Sequence, residues 1–192
     1  MENLASVTDN QVMQPDPAQQ LKNAPLVELL TILLRQFKGL LAAADIPLTE
    51  NEIRSLARDL STVESLPDKA TTLQEVFIDI VEESVQVLSQ WDFTFEQSLN
   101  TGMNDVPGWE TTSEFLEIAN EKGNAELRIS SAAVLLAALG DWRYAHYLLA
   151  AIDHDPVAIE TVVAHRLLSQ ASGVGHDADD WMSKVRRWLD TL

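Results

Sequence analysis

Two stretches in the C-terminal half of the chain have nearly the same pattern of residue types. The first reads Leu127-Arg128-x-x-x-Ala132-Ala133-x-Leu135, and the second, 32 positions later, reads Ile159-Glu160-x-x-x-Ala164-His165-x-Leu167. A repeat of this period is typical of helical hairpins that stack on one another, because each hairpin needs a neighbour to cover its apolar face. Two units are too few for a solenoid, since about three are needed to bury a continuous core. The repeat therefore predicts two stacked helical hairpins that close the C-terminal half of an all-α domain.

The rest of the chain also has the periodicity of α-helices. Apolar residues between positions 25 and 44 recur three and four residues apart, and no segment alternates as a β-strand does. We therefore predict an all-α fold of about eight helices, either a compact helical bundle or a short α–α superhelix. Residues 1–22 are polar and are predicted to form a flexible N-terminal tail. Residues 23–192 are predicted to form a single all-α domain, with N-terminal helices in residues 23–105 and the hairpins in residues 106–192.

Several residues carry the signals of helix starts. Thr49 precedes Glu52 by three positions, and Thr72 precedes Glu75 by three. This spacing is that of the capping box, in which the two side chains satisfy exposed N–H groups of the first helical turn. Each pair predicts the start of a helix.

Other residues predict boundaries in the C-terminal half. Gly123 and Gly140 are predicted to end helices, because glycine adopts the left-handed conformation at no steric cost. Asp141 is then expected to cap the next helix. Asp155 and Pro156 predict another start, with proline in the first turn.

Residues 126–168 resemble HEAT repeats, including the short HEAT-like units of bilin lyases. The residues that carry the resemblance are Leu127, Arg128, Ala132, Ala133, Leu135 and the turn Leu139-Gly140-Asp141. The second unit departs from the family pattern, since Glu160 replaces the arginine, His165 replaces a small residue and residues 172–175 replace the turn. The resemblance implies stacked helix pairs of a kind that usually binds other macromolecules.

Tetratricopeptide repeats are the alternative family that this segment resembles. Gly140, Trp142, Ala145 and Pro156 nearly fit the tetratricopeptide pattern, although Pro156 falls one position early. An irregular helical bundle would use the same small residues and helix stops.

The charge of the chain is strongly negative and unevenly placed. Thirteen Lys and Arg residues face thirty Asp and Glu residues, a formal net charge of −17. Residues 71–126 contain twelve acidic residues and one basic residue, Lys122. Such a surface repels nucleic acid and anionic membranes. We therefore expect a basic protein partner, no direct nucleic-acid contact and no membrane contact, the alternative being a face that only maintains solubility.

Composition and the start of the chain bear on the compartment. The chain contains no cysteine, which excludes disulfides and cysteine-ligated metals. No basic residue precedes Lys22, as one would in a secretory signal. The most apolar stretch, residues 25–46, is interrupted by charged residues and is interpreted as a buried helix. We expect a soluble, cytoplasmic protein.

No motif for catalysis, metal binding or cofactor binding is recognisable. The four histidines, at positions 146, 154, 165 and 176, include no pair at the i, i+4 spacing of a helical zinc site. Residues 176–180 lack the central glycine and the final glutamate of a calcium loop. We therefore predict a protein that is not an enzyme, with no catalytic residue, no metal and no cofactor, and with ordinary surface or core histidines.

The chain has five tryptophans but only two tyrosines. Trp109 follows a Pro-Gly pair and Trp142 begins a predicted helix, so both are expected to be partly exposed. Exposed tryptophan beside acidic residues suits a basic, apolar peptide, although packing across a helix junction is the alternative. The candidate partner-binding residues are Glu75, Asp79, Glu82, Glu83, Trp109, Glu110, Glu114 and Trp142.

Three functions fit these observations. The first is a non-catalytic α-helical module for protein–protein interaction, such as an adaptor, an assembly factor or a chaperone, with an acidic face for a basic partner. The second is an acidic inhibitor or immunity-type protein that blocks a basic site, including one that binds nucleic acid. The third is a lyase-like HEAT-repeat enzyme whose site is built from dispersed residues.

Overall fold

The computed structural model describes the backbone of residues 17–62, 69–100 and 113–192, and the side chains of residues 19–62, 69–90 and 119–192. Within these ranges the chain forms nine helices and no strand, which confirms the predicted all-α fold with one helix more than expected. The helices are α1 (Pro17–Asn23), α2 (Leu26–Gln36), α3 (Lys38–Ala43), α4 (Glu50–Ser61), α5 (Ala70–Asn100), α6 (Ser113–Ala138), α7 (Ala145–His154), α8 (Ile159–Ser172) and α9 (Trp181–Leu189).

The helices pack in pairs into a compact bundle, one of the two predicted forms. α5 packs along α6, α2 packs along α4, and α8 contacts α2, α6 and α7. One cluster of buried apolar side chains extends from Leu29 in α2 to Val185 in α9. Phe77, its largest fully buried side chain, packs edge to face on Phe37, with ring centroids 5.4 Å apart. Burying a side chain of this kind contributes roughly 1.5–3 kcal/mol, so the cluster is the main source of stability.

The N-terminal region differs from the prediction in two places. The predicted tail covers residues 1–22, but α1 begins at Pro17, so the end of that range is helical, and residues 1–16 lie outside the described residues. The helix predicted for residues 25–44 is interrupted at Phe37, whose N–H donates to the Leu34 carbonyl at 3.2 Å. This turn separates α2 from α3 and places the buried Phe37 ring against the core.

One of the two predicted capping boxes is confirmed. Thr49 Oγ1 accepts from the Glu52 N–H at 3.3 Å, and the Glu52 carboxylate accepts from the Thr49 N–H at 2.8 Å. The second prediction is wrong, because α5 begins at Ala70 and Thr72 and Glu75 already lie inside it.

α5 runs without interruption to Asn100, and its sequence contains neither glycine nor proline. The helix end predicted at Gly123 lies inside a helix. α6 passes through Gly123, since a glycine in a helix interior costs only about 1 kcal/mol relative to alanine and packing along α5 offsets this cost. Gly140 ends α6 as predicted, with a φ of +81° and an N–H that donates to the Ala137 carbonyl at 3.0 Å.

The two repeating stretches lie on α6 and α8, which pack against each other. Their small residues Ala132, Ala133 and Ala164 are all buried. Small side chains at these positions allow the helices to approach closely. None of the helices in the described ranges offers an apolar stretch long enough to span a bilayer.

α7 and α8 both begin later than predicted. α7 begins four residues after Asp141, and α8 begins three residues after Pro156. The reason is that both aspartates hold turns instead of capping helices. Asp141 accepts from the Arg143 N–H at 3.2 Å, and Asp155 accepts from the Val157 N–H at 3.1 Å.

Candidate functional site

Four of the predicted partner-binding residues lie on one exposed face of α5. These four residues, which we call the α5 acidic face, are Glu75, Asp79, Glu82 and Glu83. They are brought together because side chains three, four, seven or eight residues apart share a helix face. The opposite face of α5 buries Leu73, Phe77 and Val81 in the core. Core packing therefore fixes the direction in which the four carboxylates point.

The carboxylates of the α5 acidic face form no direct ion pair with a described basic side chain. None of the six ion pairs among the described side chains includes one of these four residues. Glu82 accepts a hydrogen bond from the Tyr144 hydroxyl at 3.3 Å. Burial raises the pKa of Tyr144 above its ordinary value, and the negative charge of Glu82 raises it further. The four carboxylates are therefore exposed and have no ion-pair partner among the described side chains.

A groove borders the α5 acidic face. It has a volume of about 470 Å³ and separates α5 from α3 and α6. Glu83 and Arg128 lie at the groove, and Leu40, Ile80 and Val87 give it an apolar lining. An apolar side chain could therefore be bound beside the carboxylates.

Trp142 is partly exposed, and its indole is in contact with α9. It packs edge to face on Trp188, with ring centroids 5.2 Å apart and an interplanar angle of 82°. Trp142 lies in the turn between α6 and α7, two residues before Tyr144, which contacts the α5 acidic face. The turn is stiffened by Asp141, whose carboxylate accepts from the Arg143 guanidinium at 2.6 Å. That hydrogen bond lowers the pKa of Asp141 below its ordinary value.

The other three candidate residues are not placed by this structure. Trp109 and Glu110 lie outside the described residues, and Glu114 lies in α6 at a position whose side chain is not described. Their proposed role in partner binding stays a prediction.

A second candidate site, which the sequence did not predict, is a cleft between α8 and the loop that leads to α9. The cleft has a volume of about 640 Å³. We call it the histidine cleft, and its principal residues are Lys22, His165, Arg166, His176, Asp177 and Trp181. Gly173 ends α8 with a φ of +70°, and the chain then folds back so that His176 lies opposite His165.

The two histidines of the cleft are in direct contact. His165 Nδ1 and His176 Nδ1 lie 3.0 Å apart, and the two rings are stacked at 5.1 Å. This distance suits a hydrogen bond in which the Nδ1–H of one ring donates to the Nδ1 of the other, the tautomers of the two rings deciding which one donates. Burial lowers the pKa of the half-buried His165, and the charges of His176 and Lys22 lower it further, against an opposing effect of Asp177. A ligand that favours the protonated pair would therefore bind with proton uptake.

Two residues of α8 that are four positions apart, His165 and Ser169, contact Trp181 at the cleft. His165 stacks on the Trp181 indole, with ring centroids 4.0 Å apart and an interplanar angle of 20°. The indole N–H of Trp181 donates to the buried Ser169 hydroxyl at 2.8 Å. Because Trp181 is buried and hydrogen-bonded, it holds the His165 ring in place.

Arg166 connects the cleft to the N-terminal helix. Its guanidinium donates to the carbonyl of Ala24 at 2.6 Å and to the carbonyl of Lys22. Lys22 lies in the last turn of α1 and Ala24 follows that helix, where carbonyls need external donors. The contact places the Lys22 residue at the rim of the cleft.

Sequence reasoning missed this cleft because His165 and His176 are eleven residues apart and belong to different elements. One signal was present, since His165 stands where the repeat pattern has a small residue. Within the described residues, no group of three His, Cys, Asp or Glu side chains is arranged to hold a metal ion.

Comparison of the chain with protein-family models, curated proteins and solved structures finds no match. The resemblance of residues 126–168 to HEAT repeats therefore stays a prediction. The two surfaces described above are the basis for the function.

Proposed function

We propose that this protein is a non-catalytic α-helical protein-binding module whose α5 acidic face binds a basic segment of a partner protein. The observation that carries the proposal is the α5 acidic face itself, which has four exposed carboxylates on one packed helix. None of the four takes part in the ion pairs of the described side chains. Because none of these carboxylates forms an ion pair among the described side chains, no such pair is lost when a basic partner binds. Adaptors, assembly factors and chaperones are the classes of protein that this description fits.

The spacing of the carboxylates indicates what the partner segment looks like. Glu75, Asp79 and Glu83 follow one another at four-residue steps, and each step rises about 6 Å along the helix. Basic residues four apart on a helix have the same rise, and alternate residues of an extended strand are about 6.6 Å apart. A segment with Lys or Arg at either spacing would place one cation against each carboxylate.

The groove beside Glu83 adds a contact that charge alone does not provide. Its apolar lining by Leu40, Ile80 and Val87 suits an aliphatic or aromatic side chain of the same partner segment. Burial of such a side chain contributes roughly 1.5–3 kcal/mol, more than an exposed ion pair, which contributes about 0.2–1 kcal/mol. Binding therefore requires a segment that is both basic and apolar.

Two further parts of the proposal concern architecture and location. We propose that α6 to α9 form a pair of HEAT-like hairpins, supported by the packing of the two repeating stretches on α6 and α8. A cytoplasmic location agrees with a chain that contains no cysteine.

The test compares two variants that change the net charge equally. The first carries Glu75→Gln, Asp79→Asn, Glu82→Gln and Glu83→Gln. The control carries Glu28→Gln, Asp153→Asn, Asp179→Asn and Asp190→Asn at exposed positions away from α5. The probe is an alanine-rich helical peptide with Lys at every fourth position and one leucine, titrated by calorimetry at low and high salt.

We expect the first variant to bind the peptide about tenfold to a hundredfold more weakly than the wild type, and the control to bind it nearly as the wild type does. Binding to the wild type should weaken as salt rises. Equal losses in both variants would show that only the net charge attracts the peptide, and the α5 acidic face would then not be the binding surface. If a natural partner isolated on the immobilised wild-type protein binds nucleic acid and releases it when this protein is added, the inhibitor function is the correct one.

A further inference from the structure

We propose that the histidine cleft binds a small organic anion, with a carboxylate or phosphate group placed between Lys22 and the two imidazoles and an apolar body on the cleft wall. The site is separate from the α5 acidic face and involves none of its residues.

The size and the lining of the cleft suit a small molecule. Its volume of about 640 Å³ falls within the range of about 300–1,000 Å³ that is usual for ligand pockets. Ile152, Pro156 and Val162 give it an apolar wall beside the Trp181 indole. Such pockets typically combine an apolar lining with a few polar groups that fix the orientation of the ligand.

The charges around the cleft favour an anion. Lys22 and Arg166 are cationic, and His165 and His176 become so on protonation, whereas Asp177 is the one carboxylate at the cleft in the described residues. The guanidinium of Arg166 is bound to backbone carbonyls, which leaves its positive charge uncancelled. This local excess of positive charge is notable in a chain with a net charge of −17.

The imidazole pair indicates how an anion would be held. With one proton between the Nδ1 atoms, the neutral pair has one Nε2 that donates and one that accepts. When the pair gains a proton, both Nε2 atoms donate and the pair carries one positive charge. An anion that accepts from both nitrogens therefore binds with the uptake of one proton, and its affinity rises as the pH falls.

A metal ion is the competing occupant, because two nitrogens 3.0 Å apart could both contact one cation. Two observations disfavour it. Transition metals in proteins usually have three or four protein ligands, and no third His, Cys, Asp or Glu completes a set among the described side chains. Lys22 and Arg166 would also repel a cation.

The experiment is calorimetric titration with benzoate and phenyl phosphate, with uncharged benzamide and Zn²⁺ as comparison probes. Titration in two buffers of different ionisation enthalpy measures the protons taken up. We expect benzoate or phenyl phosphate to bind with uptake of about one proton near neutral pH, and benzamide to bind at least about tenfold more weakly. The better of the two anions identifies a carboxylate or a phosphate ligand.

Three variants test the residues. Lys22→Gln and His176→Gln each should weaken anion binding about tenfold, and His176→Gln should also remove the proton uptake. The matched control is His154→Gln, which changes an exposed histidine outside the cleft. It should leave the anion affinity and the proton uptake unchanged. Circular dichroism verifies that each variant is folded.

The proposal is overturned if benzamide binds as well as the anions, if His176→Gln leaves anion binding unchanged, or if no anion binds at millimolar concentration. Tight Zn²⁺ binding that depends on His165 and His176, without anion binding, would identify a metal site instead. Peptide binding at the α5 acidic face is measured separately, so either proposal can fail while the other stands.

Discussion

The hydroxyl of Tyr144 donates a hydrogen bond to the carboxylate of Glu82 across 3.3 Å, although the two residues are 62 positions apart in the chain. The contact joins the turn before α7 to the exposed face of α5. Among the described residues, it is the one side-chain hydrogen bond between the α5 acidic face and the C-terminal half of the chain. Glu82 is therefore both a candidate partner-binding residue and a structural contact.

This contact predicts a measurable change in the ionisation of Tyr144. In a Tyr147→Phe background Tyr144 is the only tyrosine, so its ionisation can be followed by ultraviolet absorbance. Burial and Glu82 raise its pKa above the ordinary value of about 10. Adding Glu82→Gln should lower the pKa of Tyr144 toward the ordinary value without reaching it, because burial, the larger cause, remains. An identical titration in the presence and absence of Glu82→Gln would contradict the contact.

Two glycine-to-alanine substitutions should have opposite effects on stability. Gly140→Ala forces alanine into a left-handed conformation and should lower the free energy of unfolding by about 1 kcal/mol. Gly123→Ala removes a glycine from the interior of α6 and should raise it by about 0.5–1 kcal/mol. At neither position would the added methyl group come within 4 Å of a neighbouring part of the protein, so the two effects come from the backbone conformation alone. Urea unfolding measures both, and a destabilising Gly123→Ala would mean that α6 is not continuous there.

Arg166 should control the stability of α1. In Arg166→Gln the carbonyls of Lys22 and Ala24 lose a charged donor, and such a bond contributes about 1.5–3 kcal/mol. We expect amide hydrogen exchange in α1 to accelerate about tenfold to a hundredfold, while exchange in the core of α6 stays nearly the same. The exposed Arg54→Gln is the matched control. Unchanged protection of α1 in Arg166→Gln would show that other contacts hold this helix.

His165 should make the stability of the protein dependent on pH. Its pKa in the folded protein lies below that of an unfolded histidine, about 6.5, so the unfolded chain takes up the proton first. The free energy of unfolding should therefore fall as the pH drops below about 6.5 toward the folded pKa. His165→Phe keeps a ring against Trp181 but cannot titrate, so its free energy of unfolding should fall less between about pH 7.5 and 5.5. Urea unfolding at both pH values gives the two differences, and equal falls would exclude His165 as the cause.

The helical class and several helix ends were predictable because they depend on local signals. The capping box of Thr49 and Glu52 and the stop at Gly140 require only nearby backbone groups. The errors arose where packing overrides local preference. Gly123 remains helical because α6 packs along α5, and Asp141 forms a turn with Arg143 instead of capping α7.

The candidate surfaces differ in how far the sequence could reveal them. Glu75, Asp79, Glu82 and Glu83 share one helix, so their common face follows from the helical period alone. The histidine cleft depends on the path of the loop after Gly173, which brings His176 back over α8, and on Arg166, which holds the end of α1. Contacts between residues of separate elements leave no fixed spacing in the sequence.

The position of a cationic cleft within a strongly anionic molecule has a kinetic consequence. A basic segment is drawn toward the protein by its long-range field, so added salt should slow its association with the α5 acidic face. A small anion is repelled at long range and attracted only close to Lys22 and Arg166, so added salt should speed its arrival at the histidine cleft. One net charge thus gives the two surfaces association rates that respond to ionic strength in opposite directions.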